Sequence, residues 1–353
     1  MEIRLFPLKR LAAAVVIAGT ALTAAAAAHA ESKELNLYSY RQPFLIQPLL
    51  DTFAKETGIK VNVVYAQKGM LEKIKAAGAN SPADAVLTVD IGRLHELKEA
   101  GVLQPVKSAV LDKAIPAHLR DPQGLWFALT TRARVALVSK DRVKPGELTS
   151  YEQLADPKFK GRICVRSGKN DYNIALIASM IAHHGEAKAE EWLRGLKANL
   201  ARKPQGNDRA QAKAVYEGVC DIAITNSYYL GKMMTEKDKP EQQKWAAAVR
   251  LTYLNQDGRG NHMNVSGAAV TKSAKHRDAA VKLLEFLAGD EAQKLYADVN
   301  QEYPVKDGVP QSDLVKSWGP FKADKLDMEK IAQLRPAASR LVDKVAFDEG
   351  PGS

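Results

Sequence analysis

Taken by the spacing of its apolar positions, the chain alternates between two periods. Leu35-Asn-Leu-Tyr-Ser-Tyr40 alternates like a strand and stops at Arg41-Gln-Pro43. Phe44 to Thr57 switches to helical spacing, with Leu45, Leu49, Leu50 and Phe53 along one face and Gly58 as the C-terminal stop. Lys60 to Ala66 predicts the next strand and Met70 to Ala77 the next helix. Ser81-Pro-Ala-Asp84 turns into a buried strand over Ala85 to Asp90, and Gly92 to Ala100 predicts a helix stopped by Gly101. Strands and helices in this order predict a parallel, doubly wound sheet.

Leu125 to Lys140 is a longer extended segment carrying Arg132 and Arg134, and it is expected to cross between two lobes. Arg162 to Arg166 predicts a strand, and Ser167 to Asp171 a loop whose Asp171 caps a helix over Tyr172 to His184, ended by Gly185. Glu190 to Leu200 predicts an amphipathic helix with Trp192, Leu196 and Leu200 inward. Cys220 to Thr225 then predicts a short buried strand, and Ser227 an N-cap for a helix through Leu230 and Met233. Tyr228 and Tyr229 therefore stand where a strand ends and a helix begins, the place where α/β proteins put ligands. Tyr172 occupies the same kind of junction. The plainer alternative is a pair of ordinary tyrosines, one packed and one exposed. Gly267 to Thr271 predicts a return strand, and Lys275 to Val299 a single long helix.

The first thirty residues stand apart from this pattern. Arg4, Lys9 and Arg10 precede an apolar, alanine-rich stretch, and Ala28-His-Ala30 forms a small-x-small cleavage site. That is the pattern of a secretory signal peptide cut after Ala30, which implies export to the periplasm. Roughly 320 remaining residues exceed one compact domain and predict two lobes. In an oxidising compartment Cys164 and Cys220, the only cysteines, are expected to pair; two buried free thiols are the alternative. The formal charge is +10, and +8 without the signal segment. Export, together with the lack of an arginine-rich run or aromatic-basic repeat, argues against nucleic acid, so the charge suits a cleft that attracts an anion or an anion-chelated metal. There is no G-x-S-x-G elbow, H-E-x-x-H, P-loop or C-x-x-C, and an enzyme is not expected.

Several segments together carry a family likeness. They are Tyr38-Ser-Tyr-Arg-Gln-Pro-Phe44, Ser81-Pro-Ala-Asp84, Thr131-Arg-Ala-Arg-Val135, Ser167-Gly168 with Tyr172, Asn226-Ser-Tyr-Tyr229, Gly258-Arg-Gly-Asn-His-Met-Asn-Val-Ser-Gly267 and Glu302-Tyr-Pro-Val305. With these the chain resembles the periplasmic ferric-ion-binding proteins of ABC iron importers. The resemblance implies a two-lobed α/β periplasmic solute-binding fold, type II-like, with hinge-crossing strands. It places residues 31–130 and 265–305 in the first lobe, and 131–264 and 306–353 in the second. It implies iron held by the tyrosinates of Tyr172, Tyr228 and Tyr229, and delivery by a monomer to a membrane permease.

The chemistry of those residue types agrees. Ferric ion is a hard Lewis acid better served by anionic oxygen than by thiolate or imidazole. Arginines near the site would favour phenolate and hold a synergistic anion such as carbonate bidentately. Arg41 and Arg132 are the candidates, with Arg134 second because strand alternation is expected to turn it away. Many relatives carry a His or Tyr after the first strand's arginine, or a Glu after the third strand. This chain has Gln42-Pro43 and Val89-Asp90 there, so a first-lobe ligand is absent unless Tyr40 or Asp90 substitutes. His183, His184, His262, Asn264 and Tyr303 are weaker candidates. A binding protein for a small organic or oxyanion solute is the alternative function.

Overall fold

A computed structural model describes residues 33–352, so the expected signal peptide lies outside the described residues. Strands β1 (Glu34–Ser39), β2 (Lys60–Tyr65) and β3 (Ala85–Thr88) form a parallel sheet with β1 in the middle. The helices between them, Pro43–Thr57 and Met70–Ala77, make the crossovers that parallel pairing requires. Gly58 ends the first of these in the left-handed region, at φ 69°, where a side chain would be strained.

The molecule turns on β4 (Phe127–Ser139), which is buried along its whole length. Its first half pairs antiparallel with β8 (Met263–Val270), which itself pairs antiparallel with β3. Its second half, from Arg134, pairs antiparallel with β6 (Ile222–Asn226). β5 (Ile163–Cys164) runs parallel to β6, while β7 (Val249–Thr252) and β9 (Tyr303–Pro304) both pair with β4. One strand is thus shared by two sheets, as expected of a chain that crosses between lobes. The C-terminal helix Met328–Lys344 packs on Asp171–His184 of one sheet's layer and on Ile91–Glu99 of the other's.

Some boundaries depart from the sequence reading. The predicted long helix is two, Arg277–Leu287 and Asp290–Asn300, because Gly289 adopts an extended ψ of 164° and lets Asp290 and Glu291 open a fresh first turn. The predicted strand Arg162–Arg166 shrinks to Ile163–Cys164. Asn170, not Asp171, caps the helix Asp171–His184, its side chain accepting from the Tyr172 amide. Likewise Asn226 rather than Ser227 is the cap of Ser227–Met234.

Cys164 on β5 and Cys220 just before β6 form a disulfide across a Cα–Cα distance of 5.9 Å. It closes a 56-residue separation and pins together the segments that lead to Tyr172 and Tyr228. Replacing both cysteines by serine is expected to lower stability by about 2–4 kcal/mol, read as a lower urea midpoint.

Candidate functional site

The helices Asp171–His184 and Ser227–Met234 begin beside one another, each at the carboxyl end of a strand layer. Their first turns carry Tyr172, Tyr228 and Tyr229, all half-buried, and all three line one cavity of about 480 Å³. The phenol oxygens of Tyr172 and Tyr228 are 3.5 Å apart, and the rings of Tyr228 and Tyr229 lie 4.4 Å apart at an interplanar angle of 30°. Adjacent residues on a strand would diverge; at the strand-to-helix turn both rings face the same space.

Burial holds all three phenols well above their ordinary value, and each is pushed further by a neighbouring phenol that would become a like charge. Arg132 opposes the rise at Tyr172 and Tyr228, and Arg166 opposes it at Tyr229. Such a cluster is neutral near pH 7 by itself. Its ionisation needs a cation held among the oxygens, because only a polyvalent positive charge turns the mutual repulsion into attraction. Among the described residues no group of three His, Cys, Asp or Glu side chains offers a competing metal site.

The facing wall comes from the other sheet and from the crossing strands. Arg41 and Arg132 are buried and line the cavity, and both reach the hydroxyl of Ser266 and the carboxylate of Glu302. Arg41 lies 2.9 Å from a Glu302 oxygen, and Arg132 3.5 Å. One carboxylate shared by two guanidiniums leaves one positive charge in excess, and the Nε atoms of both are buried without a partner. Tyr40 also lines the cavity, its oxygen accepting from the Leu71 amide at 3.2 Å and its ring covered by Arg93 at 4.2 Å.

Asp90 is elsewhere. It caps the helix Ile91–Glu99, accepts from Gly92 and Asn264, and pairs with Arg335 at 3.0 Å, away from the cavity lining. As a helix cap its position is fixed by backbone geometry, so the expectation of a role at the anion site does not match its place. Arg134 is off the lining as well, although the reason differs from the one expected. Positions 132 and 134 share a strand parity, so alternation does not separate them. Asp208, Asn226 and Asn173 draw the Arg134 guanidinium inward instead.

Asp208, wholly buried, is a residue the sequence reading missed. It accepts from Arg134 and Arg166, each at 2.5 Å, and from the backbone amide of Asn226 at 3.0 Å. The two guanidiniums lie 5.8 and 5.3 Å from the Tyr172 ring centroid, so a single carboxylate braces the junctions that present all three tyrosines. Arg166, Arg209, Lys232 and Glu302, all at the cavity, were missed too. Glu302 stands beside the Tyr-Pro pair already singled out, and Arg166 ends a predicted strand; no local pattern marks Asp208 or Arg209.

The weaker candidates all have structural partners. His183 meets Asp324 at 2.7 Å and His184 meets Glu152 at 2.8 Å. Burial, then the charges of Arg134 and Arg259, push the His262 imidazole down to about 3, so it is neutral packing. Asn264 accepts from Ile91, and the Tyr303 hydroxyl bonds that of Tyr253 at 2.8 Å.

Two sheets joined by shared crossing strands, with a polar cavity between their carboxyl edges, define a two-lobed periplasmic binding protein. Residues 80–328 match the family described as bacterial extracellular solute-binding protein, and the chain belongs to it. Within that family its likeness is to the ferric-ion-binding members. It is 45% identical to Iron uptake protein A1 of Synechocystis sp. over 318 residues, covering 90% of this chain and 88% of that protein. The apo ferric ion-binding protein A of Pasteurella haemolytica matches with a TM-score of 0.85 and 51% identity, over 90% of this chain and 99% of that one. A Trichodesmium protein crystallised with iron and citrate ligands matches with a TM-score of 0.85 and 47% identity, over 89% and 99%.

Proposed function

We propose that this protein captures Fe(III) in the periplasm through the phenolates of Tyr172, Tyr228 and Tyr229 and delivers it as a monomer to an ABC permease. The observation that carries the reading is the convergence of three phenols, from two separate helix starts, on one cavity. Three phenolates balance the charge of one ferric ion and leave coordination positions for exogenous oxygen. Arg41 and Arg132, with their one unbalanced charge, are placed to hold a small anion such as carbonate from the other wall. Tyr40 stands on that wall as the candidate first-lobe phenol. The relatives support iron as the cargo, since they are themselves iron uptake and ferric-binding proteins. Iron and anion, bridging the lobe of residues 31–130 and 265–305 to that of 131–264 and 306–353, would favour the closed form by contacts that the open form lacks.

The test is a visible spectrum of the mature protein before and after ferric citrate. A tyrosinate-to-iron charge-transfer band is expected. A protein that stays colourless points to an anionic or organic solute at the arginine wall instead. Because each phenol sits above its ordinary value, iron must displace about three protons. Protons therefore compete with iron, and acidification weakens binding. At fixed ferric-ion activity the affinity is expected to fall by up to about three powers of ten per pH unit, followed as bleaching of the band between about pH 8 and about pH 5.

A further inference from the structure

The cavity holds more positive charge than its own carboxylates and one small anion account for. Arg41 and Arg132 share Glu302, Arg134 and Arg166 share Asp208, and Arg93 and Arg335 share Asp171. Among the described residues Arg209, Lys232 and Lys68 line the same cavity with no carboxylate at ion-pair distance. Arg209 lies with its guanidinium 5.0 Å from the Tyr229 ring centroid, and its Nε is buried without a hydrogen-bond partner. Lys232 stands one helical turn beyond Tyr228 and Tyr229, and its ammonium donates to the Val299 carbonyl at 2.6 Å. Burial lowers the Lys232 ammonium, and Arg209 and Arg41 push it the same way against Glu302, which places these cations close enough to repel one another.

A ferric ion on three phenolates is neutral, so loading iron leaves this surplus untouched. A carbonate-sized anion between Arg41 and Arg132 answers one wall of the cavity and fills a small part of its 480 Å³. The cations on the Tyr229 side still face open space. Two cations spaced along that wall suit carboxylate arms that extend from the metal, because one bound molecule then meets both the iron's open positions and the surplus charge.

We infer that Arg209 and Lys232, with Lys68 at the rim, form a second anion subsite that grips the free carboxylates of a polycarboxylate chelator still attached to the iron, so that the cargo is a ferric chelate rather than the bare ion. This rests on the tyrosinate reading above. The subsite lies on the tyrosine-bearing wall, opposite Arg41 and Arg132, and its residues need touch no metal.

The experiment loads the mature protein with ferric citrate carrying radiolabelled citrate, desalts it, and reads iron by the charge-transfer band and chelator by the label. Wild-type protein is expected to keep about one label per iron. Arg209→Gln/Lys232→Met is expected to lose most of the label, and its affinity for ferric citrate should drop about tenfold more than its affinity for ferric ion supplied with hydrogencarbonate. Arg209→Lys should restore part of the label, and single Lys232→Met serves if the double variant melts early. A wild-type band without label overturns the subsite and leaves the tyrosine site standing, as does full label retention in the double variant. An absent band overturns the ferric reading itself, and this inference with it.

Discussion

Tyr228→Phe/Tyr229→Phe is expected to abolish the charge-transfer band and lower ferric affinity by about four powers of ten or more. A multi-ligand protein metal site is worth on the order of 10–16 kcal/mol, or about 3 kcal/mol per ligand, so removing two ligands costs about 6 kcal/mol. The fold should not notice. The ring contact at 4.4 Å is kept by phenylalanine, and the one hydrogen bond lost is the weak 3.5 Å contact between the Tyr228 and Tyr172 hydroxyls. Isothermal titration with ferric citrate and a thermal melt check the two halves separately. Full affinity in the double variant would sink the site assignment.

Asp208→Ala is expected to be the most damaging substitution away from the phenols, lowering stability by about 3–5 kcal/mol in a urea titration. It strips the counter-charge from Arg134 and Arg166 together, leaving two guanidiniums facing each other, the first of them fully buried, and it orphans the Asn226 amide. Since both guanidiniums lie against the Tyr172 ring, iron affinity should fall in the same variant. Asp208→Asn keeps an acceptor and should cost less. The pH dependence has a definite sign. Burial works to raise the Asp208 carboxyl, but Arg134 and Arg166 outweigh it and hold the group below its ordinary value. Its contribution is therefore fully present above about pH 4 and is lost as pH falls through the lower folded value. Wild-type stability should drop in that acid range, and the Ala variant should lack this part of the drop.

Much of the architecture was legible because it is written in local periodicity. Leu35 to Tyr40 alternates and becomes β1, while Leu49, Leu50 and Phe53 keep helical spacing and form the buried face of Pro43–Thr57. Arg132 and Arg134, in an extended run too long for one sheet, marked the crossing strand β4. The caps were misplaced by a single residue because Asn170 and Asp171, or Asn226 and Ser227, are chemically interchangeable as caps. Which of them turns is settled by what the neighbour must do: Asp171 reaches out to Arg93 and Arg335 and so cannot fold back on its own helix.

By itself the sequence determined the element order, the disulfide partners and the three tyrosines at strand-to-helix junctions, since each depends on residues near one another in the chain or on a choice with one solution. Only the tertiary structure decided which charges meet. Asp208 serves Arg134 and Arg166 across separations of 74 and 42 residues, Glu302 bridges Arg41 from 261 residues away, and Asp90 is taken from the cavity by Asn264 and Arg335. A charged side chain carries no periodic mark of its partner. Long-range pairing is chosen by the geometry of packed layers and the cost of burying an unpaired charge, and neither exists until the lobes have formed.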